Sequence, residues 1–220
     1  MILKYVLSKG RGLCSTLNSL LGMAHLCTEK NQIKINIDSS RCLFFKELSF
    51  FDTFKPNDVF VNQPPGESII KESLARRYTS EKYFNASKKN CTNFRLVLQD
   101  EISSEVNSKI SNLNLPTPLA CLHIRRGDKP ERESRFFSFE EYLNKVPSEI
   151  NDIFIMSDDY KSIQEAKKYL QKSNISKKLY YLTESKQQGR FESQNLITKK
   201  PDLIKFLTEI EIAKKCEIFI

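Results

Sequence analysis

The sequence predicts an α/β protein of two domains, each built around a parallel sheet. Three observations predict it. Short, near-continuous apolar runs such as "LACLHI", "DIFIMS" and "CEIFI" have the composition of strands buried on both faces. Between such runs lie segments whose apolar residues recur at helical spacing, "DDYKSIQEAKKYL" among them. Strands and helices in alternation form parallel sheets covered on both sides. Finally, "NLNLPTPL" (112–119), with Pro116 and Pro118, interrupts the pattern with a stretch that cannot be helical. The boundary is expected there, giving an N-terminal α/β domain over residues 1–115 and a C-terminal one over 116–220.

Composition narrows the function classes. A chain of 220 residues, 40% hydrophobic and 28% charged, can bury a core and reads as globular. No apolar run approaches the roughly 20 residues needed to cross a bilayer. The opening "MILKYVLSKGRG" lacks the apolar core and small-residue cleavage site of a signal peptide. Its absence leaves the sequons at Asn85, Asn90 and Asn174 as chance matches. The six cysteines form no CxxC pair, and with two histidines no structural zinc site is expected. Cys121 and Cys216 lie in apolar runs as free thiols do, which suits a reducing compartment and points to the cytoplasm. The net charge of +8 favours phosphorylated or polyanionic partners, although scattered lysines also make an ordinary solvated surface. No recognition helix and no aromatic-and-basic strand pattern appears, so nucleic acid is not an expected partner.

The elements follow in order. "ILKYVL" is a strand, "SKGRG" a turn, and Leu13, Leu17, Leu20, Leu21 and Ala24 fall on one face of a helix; "IKINID" returns as a strand. This is a βαβ unit. Its Gly10-Arg11-Gly12 turn is either a plain tight connection or a place where backbone amides approach a ligand. From Arg41 to Leu115 the pattern is less regular, and the aromatic run "CLFFKELSFFDTF" is expected to pack on the first sheet. After the linker come the strand "LACLHI" and a helix over "SFEEYLNKV" with Phe139, Tyr142, Leu143 and Val146 inward. "DIFIMS" is the next strand, and the helix after it buries Ile163, Ala166 and Leu170. "KLYYLT" is a strand. Pro201 and Asp202 then open a helix with Leu203, Phe206, Leu207, Ile210 and Ala213 inward, and "CEIFI" is the last strand.

In parallel sheets the carboxyl ends of the strands line the ligand crevice. Three of those ends are polar here: His123 to Lys129, Ser157-Asp158-Asp159, and Thr183-Glu184-Ser185. Arginine's planar fork matches phosphate oxygens and keeps its charge, so Arg125 and Arg126 suggest a phosphate or pyrophosphate. The plainer reading pairs Arg126 with Asp128 within a loop. Asp158 and Asp159 either cap the next helix or contact a nucleoside. His123 is either a packed, hydrogen-bonded histidine or a phosphate contact. Glu184 either faces solvent or touches the same ligand.

The run His123-x-Arg125-Arg126-x-Asp128-Lys129, followed by Glu133, Phe136 and Glu140-Glu141-Tyr142, resembles the first motif of the α-1,6-fucosyltransferases and the related nodulation-factor fucosyltransferases. Ser157-Asp158-Asp159 with Glu165-Ala166-Lys167 is similar to their second region. "FLTEIEIAKKCEIFI" is similar to the helix and strand before their third, and Gly10-Arg11-Gly12-Leu13-Cys14 resembles their first glycine turn. The likeness is closest from Leu119 to Glu165, continues from Pro201 to Ile220, and is faintest before Leu115.

The resemblance implies a GT-B-like pair of Rossmann-type domains, the N-terminal one on the acceptor side and the C-terminal one holding GDP-fucose. It implies transfer of fucose to a glycan acceptor with inversion and with no metal or other cofactor. Arg125 matches the arginine on the donor diphosphate, with Arg126 beside it. Glu133 matches the proposed base, supported by Asp128 and Lys129. His123, Asp158, Asp159, Gly10 and Gly12 fall to the substrate-binding side. Glu209 stands where the family has a nucleotide-contacting aspartate. Gly127 stands where the animal enzymes have threonine, and Arg-Arg-Gly-Asp is also similar to the α-1,2-fucosyltransferases, so both linkages stay open. The serine-containing third motif should begin at Ile220, so the C-terminal domain is expected to be incomplete there. The alternative is a GDP-sugar-binding module without turnover.

Overall fold

The computed structural model describes residues 2–6, 20, 34–40, 47–58, 60–64, 69–70, 96–126, 135–187 and 200–220. The chain divides by packing into two compact units, Met1–Ser103 with Thr198–Lys200, and Ser104–Ile197 with Pro201–Ile220. The division falls ahead of the proline-bearing linker at which composition places it. The reason is local: Ile110, Leu113 and Leu115 pack into the core of the second unit.

In the first unit β1 (Ile2–Val6) pairs in parallel with β2 (Lys34–Asp38). Tyr5, Ile35 and Ile37 are buried, but Lys34, Asn36 and Asp38 alternate with the two isoleucines and are more exposed, so β2 buries one face rather than both. The helix anticipated from Leu13 lies outside the described residues apart from Leu20, which is helical and buried. A short helix, α1 (Phe50–Thr53), begins with a reciprocal cap: Ser49 Oγ accepts from the Asp52 amide, and the Asp52 carboxylate accepts from the Ser49 amide. The cap points Phe50, Phe51 and Phe54 inward, and the Phe50 ring lies 5.1 Å from Phe54 and 5.9 Å from Phe60. Val61 N–H donates to the Ile35 carbonyl, tying this aromatic cluster to β2. The expected packing of this aromatic run on the first sheet is thus found for residues 50–54, while residues 42–46 lie outside the described residues. A two-residue strand, β3 (Ile69–Ile70), joins the other side of β1, so the order is β2-β1-β3.

The helix α2 (Asp100–Asn112) was not marked by sequence. Its apolar stripe is narrow, with Ile102 and Val106 buried among Ser, Asn and Glu residues of modest helix propensity. Asp100 and Glu101 suit its positive N-terminal end. Asn114, at φ 46°, takes the left-handed conformation that asparagine tolerates just past a helix.

The second unit holds β4 (Leu119–Ile124), α3 (Phe139–Leu143), β5 (Asp152–Ser157), α4 (Tyr160–Lys172), β6 (Lys178–Tyr181), α5 (Lys200–Ala213) and β7 (Ile218–Phe219). All four strands run parallel in the order β6-β5-β4-β7. Counted from β4 this is 3-2-1-4, the Rossmann order. The chain steps outward from β4 through β5 to β6, then returns over α5 to the far side of β4.

Alternation along β4 and β5 divides the core in two. Ala120, Leu122, Ile124, Ile153 and Ile155 pack with Phe139, Ile163, Ala166 and Leu170 of α3 and α4. Leu119, Cys121, Phe154 and Met156 pack with Ile212 of α5. Two expectations need correcting. In α5 the inward side is Leu203, Ile204, Leu207, Thr208, Glu209 and Ile212, while Phe206, Ile210 and Ala213 are only half-buried. This helix is apolar on most sides, so periodicity does not fix its face. Thr208 tolerates burial because its hydroxyl donates to the Ile204 carbonyl at 2.7 Å. Cys216 sits in the turn before β7, not in the strand, and its thiol reaches the Ile212 carbonyl at 3.3 Å.

Candidate functional site

The reversal of strand order lies between β4 and β7, and the polar strand ends gather beside it. Along β4 the residues alternate between faces, and that alternation continues past its end. Ile124 is buried on the α3/α4 side, and Arg126 follows it there. Its Nη2 donates to Glu165 Oε2 at 2.8 Å, its guanidinium lies 5.3 Å from the Phe136 ring centre, and its side chain is 13% exposed. His123 and Arg125 belong to the opposite parity and are exposed. The His123 ring lies 6.4 Å from that of Phe219 in β7. Partial shielding of the ring from water by neighbouring protein holds the His123 pKa below its ordinary value. The Asp158 carboxylate opposes that effect and the Arg125 charge adds to it. At neutral pH His123 is therefore a neutral imidazole with one donor and one acceptor.

The end of β5 organises the site from behind. Asp158 Oδ1 accepts from the Arg126 backbone N–H at 2.9 Å, linking the ends of neighbouring strands. Asp159 is buried and caps α4, accepting from the Lys161 N–H at 2.9 Å. Of the readings open for the two aspartates, the cap describes Asp159, and Asp158 braces β4. Ser157 Oγ shares hydrogen bonds with Asp159 and Ser162, and Thr183 Oγ1 donates to the Ser157 carbonyl at 2.8 Å. Glu184 is exposed and pairs with Lys186 at 2.8 Å.

Glu209 is different. It is 5% exposed, and its Oε1 makes no hydrogen bond. Lys205 Nζ stands 3.7 Å away, too far for one, because it donates instead to Gln187 Oε1 at 2.7 Å. Burial pushes the Glu209 carboxyl up to about 7; Lys205 opposes this and Asp158 reinforces it. An unfolded glutamate releases its proton near pH 4.5. Between those values the folded chain holds the extra proton, so stability should fall as pH rises through that window. Glu209→Gln is expected to flatten the fall, read as melting temperature against pH from 4.5 to 7. Parallel curves for variant and wild type would show that Lys205 keeps Glu209 ionised throughout.

The structure thus brings together His123, Arg125, Arg126, Asp158 and Asp159 at adjoining strand ends, with the Glu209 carboxylate in α5 within electrostatic reach of Asp158. Gly10, Gly12, Asp128, Lys129 and Glu133 lie outside the described residues. Among the described residues no three His, Cys, Asp or Glu side chains form a group suited to a metal ion, and no helix is long and apolar enough to cross a membrane. Lys205 and Gln187 are site-forming residues that no sequence pattern marks, and Glu165 is marked only as part of the resemblance to the second region. Glu165 also stands as the lone acid in the otherwise basic helix "YKSIQEAKKYLQK".

The second unit's parallel sheet is ordered as in Rossmann domains, with charged strand ends at the reversal, and the chain is an α/β protein whose structural neighbours are GT-B-like. No protein-family model matches the chain, and no curated protein does. Solved structures do. The fucosyltransferase NodZ from Bradyrhizobium superposes with a TM-score of 0.51 at 10% identity, over 100% of this chain and 88% of that one. A NodZ α-1,6-fucosyltransferase co-crystallised with GDP gives 0.50 at 9% identity, over 100% and 87%. The chain has the fold of the NodZ fucosyltransferases.

Proposed function

We propose that this protein is a glycosyltransferase that moves fucose from GDP-fucose to a hydroxyl of a glycan acceptor, with inversion and without a metal ion. The observation that carries the reading is Arg125, exposed at the carboxyl end of β4 beside the strand-order reversal. Rossmann sheets bind nucleotides at that place, and this fold is one that a GDP-bound fucosyltransferase shares.

The chemistry asks for two things. As the bond between fucose C1 and the diphosphate oxygen breaks, its electron pair leaves with GDP, and negative charge grows on the diphosphate. A fixed guanidinium stabilises that charge; this is the role of Arg125, with neutral His123 as a hydrogen-bonding neighbour. On the opposite face of C1 the acceptor oxygen forms the new bond and gives up its proton. Glu133 takes that proton, with Asp128 and Lys129 supporting it, and Glu209 serves the nucleotide.

Titration calorimetry with GDP-fucose, GDP and ADP tests the reading. GDP is expected to bind at least about tenfold more tightly than ADP, a difference of about 1.4 kcal/mol. Equal affinities, or no binding of either at millimolar concentration, would refute it. GDP-fucose bound but never transferred would identify a binding module instead. Transfer abolished by EDTA and restored by manganese would overturn the metal-free mechanism.

A further inference from the structure

Two adjacent arginines of equal reach and charge stand at the end of β4, and an anion in the crevice could attract either. The structure distinguishes them through a residue on another element. Glu165 of α4 uses both carboxylate oxygens: Oε2 accepts from Arg126 Nη2 at 2.8 Å, and Oε1 accepts from the Phe139 backbone N–H at 2.9 Å. One carboxylate therefore fastens the chain at two points on either side of residues 127–134. Asp158 adds a third point by accepting from the Arg126 backbone N–H at 2.9 Å, and Phe136 covers the guanidinium from 5.3 Å. With the backbone and side chain of Arg126 both held toward α4, alternation leaves Arg125 on the other side, where its charge reaches His123.

We propose that Glu165 is a positioning residue that selects Arg125 as the diphosphate ligand by holding Arg126 against α4. The inference rests on the nucleotide-diphosphate reading of the site. Glu165 touches no substrate in this scheme; it acts through Arg126.

The test labels arginines with phenylglyoxal and follows each one by residue-resolved mass spectrometry, alongside GDP calorimetry and melting temperature. In the wild type Arg125 should react and be protected by GDP, while Arg126 reacts several-fold more slowly. In Glu165→Gln, Arg126 should become as reactive as Arg125, and GDP affinity should fall about tenfold, as expected when a binding group is slightly misplaced. Adding Arg126→Gln to that variant removes the competing guanidinium, so affinity should recover part of the loss. A purely structural Glu165 would instead make the double variant bind GDP more weakly than either single one. That result would overturn the proposal, as would unchanged Arg126 labelling and GDP affinity in Glu165→Gln. If the wild type binds no GDP, the nucleotide reading fails by itself. Inorganic pyrophosphate, used with the same labelling, then decides which arginine meets a diphosphate and whether Glu165 sets the choice.

Discussion

Replacing Glu133 by glutamine is expected to leave GDP-fucose bound nearly as in the wild type and to cut transfer by about 10²–10⁴-fold, the usual contribution of a general base. Glutamine keeps the size and the hydrogen-bonding reach of the side chain but cannot accept the acceptor's proton. The loss should therefore appear in turnover, with little change in donor affinity. Glu133 belongs to a charged run, "KPERES", that could equally be a solvated surface. A surface acid would show no split between binding and chemistry. Single-turnover transfer beside donor titration decides: wild-type transfer by Glu133→Gln, in a protein of proven activity, removes Glu133 from the mechanism.

Arg125→Ala should weaken GDP binding by about 10- to 100-fold, because a charge-assisted hydrogen bond contributes about 1.5–3 kcal/mol. Turnover should fall with it, since the same guanidinium stabilises the leaving diphosphate more strongly as charge develops. Arg125 is exposed, so the melting temperature should change less than on loss of the mostly covered Arg126. Arg126→Ala should behave differently. Its guanidinium is mostly covered and paired with Glu165, and its loss should appear as a lower melting temperature. Calorimetry and thermal melts on both variants check the contrast; equal effects on GDP affinity would mean that the arginines share the ligand.

Much of this was legible before the structure, and particular residues show why. "LACLHI" and "DIFIMS" coincide with β4 and β5 because strands buried on both faces have little freedom in composition. Asp159 marks the start of α4, since a cap requires a short oxygen-bearing side chain there. The helix α2 was not legible because its stripe, Ile102, Val106 and Ile110, is only one residue wide within a serine- and asparagine-rich background. The face of α5 was not legible for the opposite reason, an excess of apolar residues. Within the site, the motif singled out Arg125 and Arg126 together. Their division of labour depends on Glu165, 39 positions after Arg126, and no local pattern encodes a partner so distant along the chain.

The alternating faces of β4 also set what kinds of change this strand can absorb. Exchanging Leu122 for another large apolar residue alters only packing, because the side chain still enters the same core. Losing or gaining one residue between Leu119 and Arg125 is of another order. Each later side chain would turn to the other face, so Arg126 would enter the crevice and Arg125 would meet Glu165. Deletions and insertions here are therefore costlier than substitutions. Among naturally varying sequences of this fold, the length of the strand should be guarded more strictly than the identity of its apolar residues.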